Sequence, residues 1–443
     1  REKRKAGIFM IELAQLTRYQ ENNRLEAKKA QGGLPHSLWE TYSAFANTVG
    51  GVLLLGVIET PEKYFQTVAL SDPQKLADQF WQIVTNPELV SVNLLQRDQV
   101  QVVKVQDHWI VVIEVPRALA CEKPVYLGAS PFSGTYRRGG EGDYRCQISE
   151  VQTMMENRFR ELPDGRPVIS ATLSDLKASS IQTYREYFCK IQPDSVWNTI
   201  SELSFLLQIN AVYFANDGSL RPTLAGLLMF GSEEVLHRIF PGLSLNNQLS
   251  GHQQEENCCD FYLSARRQVQ SQHPEEIAWG INEALVNALA HADYQDHPQI
   301  EIRENDQEIQ IVNSGQLTRR TLPANPVLYQ MFHFIKAADG QGTGLLRIEA
   351  IWKQKGWSAP QLTAHQQRHE VLFRLPVSRR LQKRQTLQQR VLDLITTEIQ
   401  ASPQYIQTQL RLTSGQTETL LQELMQQDLI EQDPESQDFR LKA

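Results

Sequence analysis

The sequence predicts a mixed α/β protein that is built from several domains. Its 443 residues, of which 41% are hydrophobic and 21% are charged, have the composition of a soluble globular chain. This length favours about three domains as a starting expectation. Apolar residues recur with the period of a helix in some segments and with the period of a strand in others. Both kinds of element are therefore expected to alternate along the main body.

The pattern divides the chain into four blocks. Residues 17–155 alternate helix and strand, with an apolar strand at Val52–Ile58. Residues 170–245 hold a helical pattern that ends in an apolar run, and they are expected to connect the flanking domains. Residues 250–378 begin with a long helix and close with strands, whereas residues 386–443 form a small separate unit. The strands predicted in the third block are Ile300–Arg303, Ile309–Val312 and Val371–Leu375.

Charge and composition narrow the class of protein. A net charge of −7 argues against a protein that binds along nucleic acid through its overall charge. A local basic patch could still bind nucleic acid despite this net charge. Two basic clusters, within residues 1–5 and 379–384, fit solvated linkers and phosphate contacts equally well. Five cysteines in so long a chain predict neither a disulfide framework nor a metal site. This cysteine usage fits a reducing cytoplasm, so we expect a cytoplasmic protein. The longest apolar stretch, Gly50–Ile58, is far shorter than the ~20 residues that cross a bilayer, so no membrane contact is expected.

A polar stripe on one predicted helix is the first candidate site. Glu283, Asn287 and His291 recur every four residues and therefore share one helix face. Glu283 can orient or deprotonate a water molecule, and the Asn287 amide can ligate magnesium beside phosphate groups. Taken alone, such a stripe is more often a solvated face.

Two further segments strengthen the interpretation as a phosphate site. A strand predicted at residues 309–312 leads into a turn that contains Asn313 and Gly315. A glycine-rich loop then opens a helix, where backbone N–H groups can approach an anionic phosphate. The candidate residues of this loop are Gly340, Gly342, Thr343 and Gly344.

These three segments together resemble the Bergerat-fold ATPases, the GHKL class, and within it a prokaryotic branch of helicase-related ATP-binding domains. The resemblance covers residues 250–378 and implies an ATP-binding sandwich with magnesium as the partner ion. The sequence departs from the family pattern at two positions: the adenine-reading Asp of the second box is absent around Asn313, and Ala292 replaces an Arg.

The first block carries a second set of motifs. Its apolar run from Ala44 to Gly56 contains the sequence AFANTVGG, and Glu21, Glu26 and Lys28 lie upstream of it. These residues resemble the Schlafen domain of the AlbA_2 type over residues 17–155. The resemblance implies a nucleic-acid-acting domain, in some members a nuclease. Asn47, Gly50 and Gly51 are interpreted as fold-forming residues at a helix end and turn.

The acidic residues of this block can be assigned a chemistry. Glu26 and Lys28 alternate along a predicted strand and so face the same side. If the strand that ends near Glu59 is its neighbour, Glu21, Glu26 and Glu59 converge. Three carboxylates form a site for magnesium or manganese, and Lys28 would stabilise charge on a cleaved phosphate. Binding of nucleic acid without cleavage is the competing interpretation.

The remaining candidates for nucleic-acid contact are two arginines of the first block and the whole of the last block. Arg137 and Arg138 fit either phosphate contacts or a solvated rim. Residues 386–443 resemble a winged helix-turn-helix whose recognition helix would be Gly415–Gln427. This helix is poor in Lys and Arg, so DNA reading and contact with a protein partner both stay open.

The leading function at this point is an ATP-gated, metal-dependent nuclease that acts on RNA or DNA in prokaryotic antiviral defence. The first alternative is an ATP-responsive, DNA-binding transcriptional regulator without nuclease activity, and the second is an adaptor whose ATP site locks an oligomer. Because GHKL modules commonly act in pairs, a homodimer or larger homo-oligomer is expected.

Overall fold

A computed structural model gives the fold of the chain. It describes residues 16, 18–249, 251, 253–295, 298–316, 323–338, 343–365, 368–377, 387, 388, 390–392, 394, 395, 400–427, 429–433 and 438–442. The helices within these ranges are α1 Ser37–Asn47, α2 Pro73–Val84, α3 Pro131–Gly134, α4 Ile148–Glu161, α5 Ala178–Ile191, α6 Glu202–Gln208, α7 Leu224–Phe230, α8 Glu233–Ile239, α9 Cys258–Gln272, α10 Glu275–His291, α11 Pro326–Phe334, α12 Gly344–Gln354, α13 Pro403–Leu410 and α14 Ser414–Gln426.

The strands are distributed over all parts of the described chain. They are β1 Leu25–Lys28, β2 Gly51–Leu55, β3 Val57–Glu59, β4 Phe65–Thr67, β5 Val100–Val105, β6 His108–Val115, β7 Tyr136–Gly139, β8 Gly142–Arg145, β9 Val212–Phe214, β10 Leu220–Pro222, β11 Ser244–Gln248, β12 Gln253–Glu255, β13 Gln299–Glu304, β14 Glu308–Ser314, β15 Gln361–His365, β16 Glu370–Pro376, β17 Gln400–Ala401, β18 Ile430–Gln432 and β19 Phe439–Leu441. The predicted class, a mixed α/β protein of several domains, is confirmed.

The N-terminal domain is built on a four-stranded sheet in the order β1-β2-β6-β5. Strands β1 and β2 run parallel, with Glu26 opposite Leu53. Apolar side chains pack on both faces of the sheet, as expected for a buried parallel pair. The predicted strand Val52–Ile58 is in fact two strands, because Gly56 adopts a left-handed φ of 85° between them. β3 then leaves the sheet and pairs with β4.

Asn47 and the two glycines after it hold this domain together. The buried Asn47 ends α1, and its side chain donates to the carbonyls of Val125 and Tyr136 at 2.7 and 3.0 Å. A Cβ on Gly50 would come within 2.9 Å of the Val115 carbonyl, and Gly50 has a φ of 75°. A Cβ on Gly51 would lie 2.7 Å from the Phe45 ring. The motif therefore permits close packing between α1, β2 and the loop after β6.

The middle segment and the six-stranded sheet share one hydrophobic core, which extends from Ala171 to Val377. The sheet has the order β12-β11-β13-β14-β16-β15, and we call it the six-stranded module. Strand β11 lies across the predicted boundary between the connector and the third block, where it pairs in parallel with β13. The apolar run Leu224–Phe230 is a buried helix, α7.

One face of the six-stranded module is covered by helices. The predicted long helix consists of two, α9 and α10, which are separated at His273 and Pro274. Helix α10 contacts α9, α11, α12 and β14. The three strands predicted for this block occur as β13, β14 and β16.

The last block forms a small domain with a core of its own. Helices α13 and α14 are followed by the β18–β19 pair, and β17 completes a three-stranded sheet. Thr413 caps α14 by accepting a hydrogen bond from the Gln416 backbone N–H. This order of elements is compatible with the predicted winged helix, whose assignment stays a prediction. The basic cluster at 379–384 lies outside the described residues.

None of the helices in the described ranges combines the length and the apolar character needed to cross a lipid bilayer.

Candidate nucleotide pocket and glutamate cluster

Helix α10 presents the predicted polar stripe at the wall of a cavity. Its 17 residues run from Glu275 to His291. Leu285 and Leu289 are fully buried on the face that packs against the core. Glu283, Asn287 and His291 line the cavity from the other side. The spacing of four residues thus separates a packing face from a polar face that lines the cavity.

The cavity has a volume of about 1280 Å³. Asn313 and Gly344 also line it, so five of the predicted site residues from three separate segments of the chain meet here. Residues outside the module, including Tyr126 of the N-terminal domain and Arg158 of α4, form part of its wall. Among the residues that the structure describes, none forms a hydrogen bond with the Asn287 amide, and Asn287 lines the cavity.

The turn after β14 lies against the end of α10. The Asp293 backbone N–H donates to the Ser314 carbonyl at 2.9 Å, and Gly315 has a φ of 138°. A Cβ at Gly315 would approach the His291 carbonyl at 3.4 Å. Asn313 is buried, and its amide donates to the Ser314 carbonyl at 3.1 Å. The predicted strand-end motif therefore forms the floor of the cavity near His291.

The start of α12 lies directly against Glu283. A Cβ built on Gly344 would be 2.2 Å from Glu283 Oε1, a distance that no real side chain allows. Glycine at this position lets the helix N-terminus reach the carboxylate. Thr343 occupies the N-cap position of α12. Gly340 and Gly342, which the sequence also assigned to this loop, lie outside the described residues.

Two ionisable residues of α10 differ in their surroundings. Glu283 is only 2% exposed. His291 reaches the surface at the last turn, yet the protein atoms beside its ring displace water and lower the pKa of the imidazole. His291 is therefore neutral at pH 7 and offers the cavity a hydrogen-bonding group without a charge.

The N-terminal domain brings the three predicted glutamates together. The Glu21 backbone N–H donates to Glu59 Oε1 at 2.9 Å, and the Ala27 N–H donates to Glu21 Oε1 at 3.2 Å. Glu21 precedes the turn into β1 rather than ending a helix. Burial, with the nearby charge of Glu26, raises the pKa of Glu21. The three glutamates lie close together because β1 pairs in parallel with β2, and β3, which follows β2, contacts β1.

Cations already engage two of these glutamates. Glu26 pairs with Lys28 at 2.7 Å and with Arg138 at 2.6 Å. Lys63 pairs with Glu59 at 2.8 Å. Although burial acts to raise the pKa of Glu59, the hydrogen bonds from Lys63 and the Glu21 N–H outweigh it and lower the pKa. Within the described residues, no group of three or more His, Cys, Asp or Glu side chains is arranged to hold a metal ion.

The two candidate arginines have different environments. The Arg138 side chain is 1% exposed and also pairs with Asp143 at 2.9 Å. Its burial favours a structural role in holding the glutamate cluster over the predicted contact with phosphate. The Arg137 side chain is 47% exposed and pairs with Glu150 at 2.8 Å. Arg137 therefore stays accessible from solvent.

Sequence reasoning did not single out Asp143, Lys63 or Arg158. Asp143 links Arg138 to Thr41 of α1, whose hydroxyl donates to it at 2.6 Å. Lys63 comes from the β3–β4 hairpin, and Arg158 contacts the Asn210 amide oxygen and the Cys121 carbonyl. The contacts of Asp143 with Thr41 and of Arg158 with Cys121 and Asn210 join residues that are distant in sequence, so no local pattern marks these two residues. Lys63 lies only four residues from Glu59, but a single lysine in a hairpin carries no distinctive pattern.

Two family models match the chain, and they cover different segments. Residues 21–147 match the Schlafen, AlbA_2 family. Residues 21–147 form a Schlafen AlbA_2 domain. The second match, over residues 152–246, is to a domain of unknown function, DUF8451. It begins within α4 and extends to β11, so it directly follows the Schlafen domain and includes the strand that enters the six-stranded module. No curated protein matches the chain.

Solved structures with similarity to the chain include two bacterial proteins. The DIP2311 protein from Corynebacterium diphtheriae is 16% identical, over 95% of this chain and 92% of that chain, with a TM-score of 0.40. The N-terminal domain of a DNA helicase RecG-related protein from Nitrosomonas europaea is 33% identical, over 30% of this chain and 90% of that chain, with a TM-score of 0.24. The Schlafen domain contains all three glutamates of the cluster together with Lys28, Arg137 and Arg138.

Proposed function

We propose that this protein binds ATP with magnesium in the cavity beside α10 and that the bound nucleotide controls how the Schlafen domain acts on nucleic acid. One observation carries the proposal: Glu283, Asn287, His291, Asn313 and Gly344, predicted from separate motifs, line the same cavity. Residues of the Schlafen domain complete the wall, so a ligand here would contact both parts of the molecule.

The residues fit a nucleotide with its metal ion. The Asn287 amide oxygen is the type of hard ligand that magnesium prefers. Among the described residues, none forms a hydrogen bond with it. The N-terminus of α12, an 11-residue helix, carries the partial positive charge that attracts phosphate. The close approach at Gly344 keeps this helix end beside Glu283. When bound, magnesium would neutralise phosphate charge.

Each residue then has a defined task. Asn287 holds the ion, and the backbone at Thr343 and Gly344 faces the phosphates. Glu283 orients a water molecule or accepts its proton if hydrolysis takes place. Neutral His291 donates or accepts a hydrogen bond at the open end of the cavity. Asn313 and Gly315 shape the floor, where the Asp that reads adenine in the GHKL class is absent.

Calorimetry tests nucleotide binding directly. We expect the parent protein to bind ATP in the presence of magnesium and Asn287→Ala to bind it at least about tenfold more weakly, since an ion ligand is lost. Glu275→Ala is the matched control, because Glu275 is exposed at the opposite end of α10. No binding by the parent, or equal affinity in Asn287→Ala, would contradict the proposal.

A second candidate function, metal-dependent cleavage of RNA or DNA, is supported by the convergence of Glu21, Glu26 and Glu59. Magnesium or manganese would be held by these carboxylates, and Lys28 would stabilise charge on the phosphate. The carboxylates do not stand in the arrangement of a metal site within the described residues, so such an ion has to displace Lys28 and Arg138 from Glu26 and Lys63 from Glu59. A role in defence against mobile elements would follow only from this activity. Binding without cleavage would instead make the protein an ATP-responsive regulator.

Incubation with labelled substrates separates these alternatives. Labelled tRNA, single-stranded DNA and duplex DNA are incubated with and without ATP and manganese. The nuclease degrades at least one of them, and Glu21→Ala/Glu26→Ala abolishes this activity but leaves ATP binding intact. Lys28→Ala slows cleavage. If the parent cuts none of the substrates, the regulator is the better account. If the double variant still cuts, the glutamate cluster is not the active site.

A further inference from the structure

The β7–β8 hairpin of the Schlafen domain has two faces with different roles. Its register pairs Arg137 with Tyr144, Arg138 with Asp143 and Gly139 with Gly142. Arg138 and Asp143 point inward to the glutamate cluster and α1. Because side chains alternate along a strand, residues 137, 139, 142 and 144 share the opposite face.

Tyr144 lies flat against the glycines of this outer face. A Cβ on Gly142 would be 3.0 Å from Cε2, Cζ and the hydroxyl of Tyr144, and a Cβ on Gly139 would be 3.2 Å from Cε2. In this hairpin only Gly140 has a left-handed φ. Backbone conformation therefore does not require glycine at 139 or 142. The absence of side chains there makes room for the tyrosine ring to rest on the hairpin backbone.

The ring is nevertheless open to solvent. Tyr144 is 53% exposed, although its inner side rests on the two glycines. The Arg137 guanidinium lies 5.9 Å from the ring centroid and is anchored by Glu150. An exposed ring that rests on the hairpin backbone beside an exposed cation matches the combination that binds single-stranded nucleic acid, in which bases stack on aromatic rings and cations contact the backbone.

The hairpin also adjoins the glutamate cluster. Arg138, on its inner face, contacts Glu26 at 2.6 Å. At its turn, Glu141 lies 3.6 Å from Lys63, which in turn binds Glu59. Tyr144 and the cluster therefore lie on opposite faces of the same short hairpin, and the exposed Lys63 at its turn is a second cation near both.

We propose that Tyr144 is a stacking platform for an unpaired base of single-stranded RNA or DNA, with Arg137 as the neighbouring phosphate contact. This inference rests on the proposed function and assigns it a substrate class. In a duplex, the faces of the bases are covered by their neighbours, so the platform selects single strands or unpaired loops. A preformed ring loses little conformational freedom when a base stacks on it.

Fluorescence anisotropy with labelled oligo-dT, oligo-U and duplex DNA of equal length tests the platform in the full chain. We expect Tyr144→Ala to bind the single strands roughly 5- to 100-fold more weakly, the contribution of one base–aromatic stack. Tyr144→Phe keeps the ring and should stay within about twofold of the parent. Gly142→Ala should weaken binding although Tyr144 is intact, because the added methyl displaces the ring.

Trp109→Ala is the control, since Trp109 is a 52% exposed aromatic on another strand, β6, of the same domain. It should bind like the parent, and far-ultraviolet circular dichroism should be unchanged in all variants. Equal affinity of Tyr144→Ala and the parent would overturn the inference alone. A parent that binds no nucleic acid would overturn the proposed function and the inference with it.

Discussion

At the scale of single residues, buried carboxylates in this chain are compensated in different ways. Glu26 is paired with two cations, Lys28 and Arg138. Asp164 instead accepts backbone N–H bonds from Val327 and Leu328 at 3.0 and 2.9 Å, so it caps the first turn of α11 from the middle segment. The first arrangement places opposite charges beside the carboxylate, whereas the second relies on backbone dipoles alone.

Asp164 predicts a pH dependence of stability. Burial outweighs the backbone hydrogen bonds and raises the pKa of Asp164 from its usual 3.8 to about 6. Between these values the folded chain holds a proton that the unfolded chain releases, so the contribution of this group to stability increases as pH falls from 6 toward 4. From pH 7 to pH 5, the free energy of unfolding of the parent should increase relative to Asp164→Asn by about 1 kcal/mol.

Urea unfolding of both proteins at the two pH values measures this difference. Asparagine keeps the acceptor but cannot titrate, so effects of other groups cancel in the comparison. A difference that is constant, or that shifts in favour of Asp164→Asn at pH 5, would show that the carboxyl is ionised throughout.

The proposed role of Glu283 can be tested separately for binding and for hydrolysis of ATP. If its task is to act on water, Glu283→Gln should bind ATP within about threefold of the parent and lose any hydrolysis, because the amide keeps the shape but accepts no proton. Calorimetry measures the affinity, and release of inorganic phosphate measures the turnover. Hydrolysis at the parental rate in Glu283→Gln would remove Glu283 from that role.

Some residues of both sites could be predicted because their spacing alone places them together. Glu283, Asn287 and His291 share a helix face, and Glu26 and Lys28 share a strand face. The burial of Arg138 could not be predicted, since its partner Glu26 lies 112 residues away in the sequence. Periodicity determines the face on which a side chain lies, but not the partner that meets it there.

Among the helices and strands, strong periodicity identified three strands of the six-stranded module, β13, β14 and β16, and the helix that follows Thr413. Two expectations were wrong for local reasons. Gly56 interrupts the apolar run in the N-terminal domain, and His273-Pro274 divides one long helix into two. The strand β11 was not predicted, because Asn246 and Asn247 dilute its apolar pattern and its partner β13 is distant in sequence.

The junction of α10 and α12 provides a prediction for an element. In Gly344→Ala the methyl group would overlap Glu283 Oε1, so the Glu283 carboxylate or the N-terminus of α12 has to move, and either shift disturbs the proposed phosphate site. We expect ATP affinity to fall roughly 5- to 30-fold, the range that a helix N-terminus contributes to anion binding. Gly415→Ala is the matched control, because Gly415 lies in the first turn of α14 with open space around its Cβ position.

Affinity for ATP in both glycine variants is measured by calorimetry, and thermal melting shows whether the fold is kept. Gly415→Ala should leave affinity unchanged. If Gly344→Ala also binds ATP like the parent, the start of α12 is not part of the phosphate site.

At the scale of the whole molecule, the cavity is formed by parts that are far apart in sequence. The six-stranded module and the middle segment share a core, and the Schlafen domain closes one side of the cavity. A ligand in this position would contact both, and this contact would be the physical basis for the proposed coupling between nucleotide and nucleic acid. Sequence alone predicts the two sites but not that Schlafen residues line the cavity, because that depends on how the domains pack.

We also predict that the whole protein forms a homodimer or a larger homo-oligomer. The tail domain is poor in basic residues on α14, which suits contact with another protein chain better than contact with DNA. Light scattering at micromolar concentration should give at least twice the mass of the 50.6 kDa chain, with or without nucleotide. A monomer under both conditions would contradict this prediction.

Control of the Schlafen domain by ATP is tested most directly by the affinity of the protein for labelled single-stranded nucleic acid, measured with and without ATP and magnesium. In the parent, we predict that ATP changes this affinity by about fivefold or more, the usual range of coupling between two sites. In Asn287→Ala the nucleic-acid affinity should be the same in both conditions. An ATP-binding parent whose nucleic-acid affinity does not respond to ATP would contradict the central claim that the nucleotide controls the Schlafen domain.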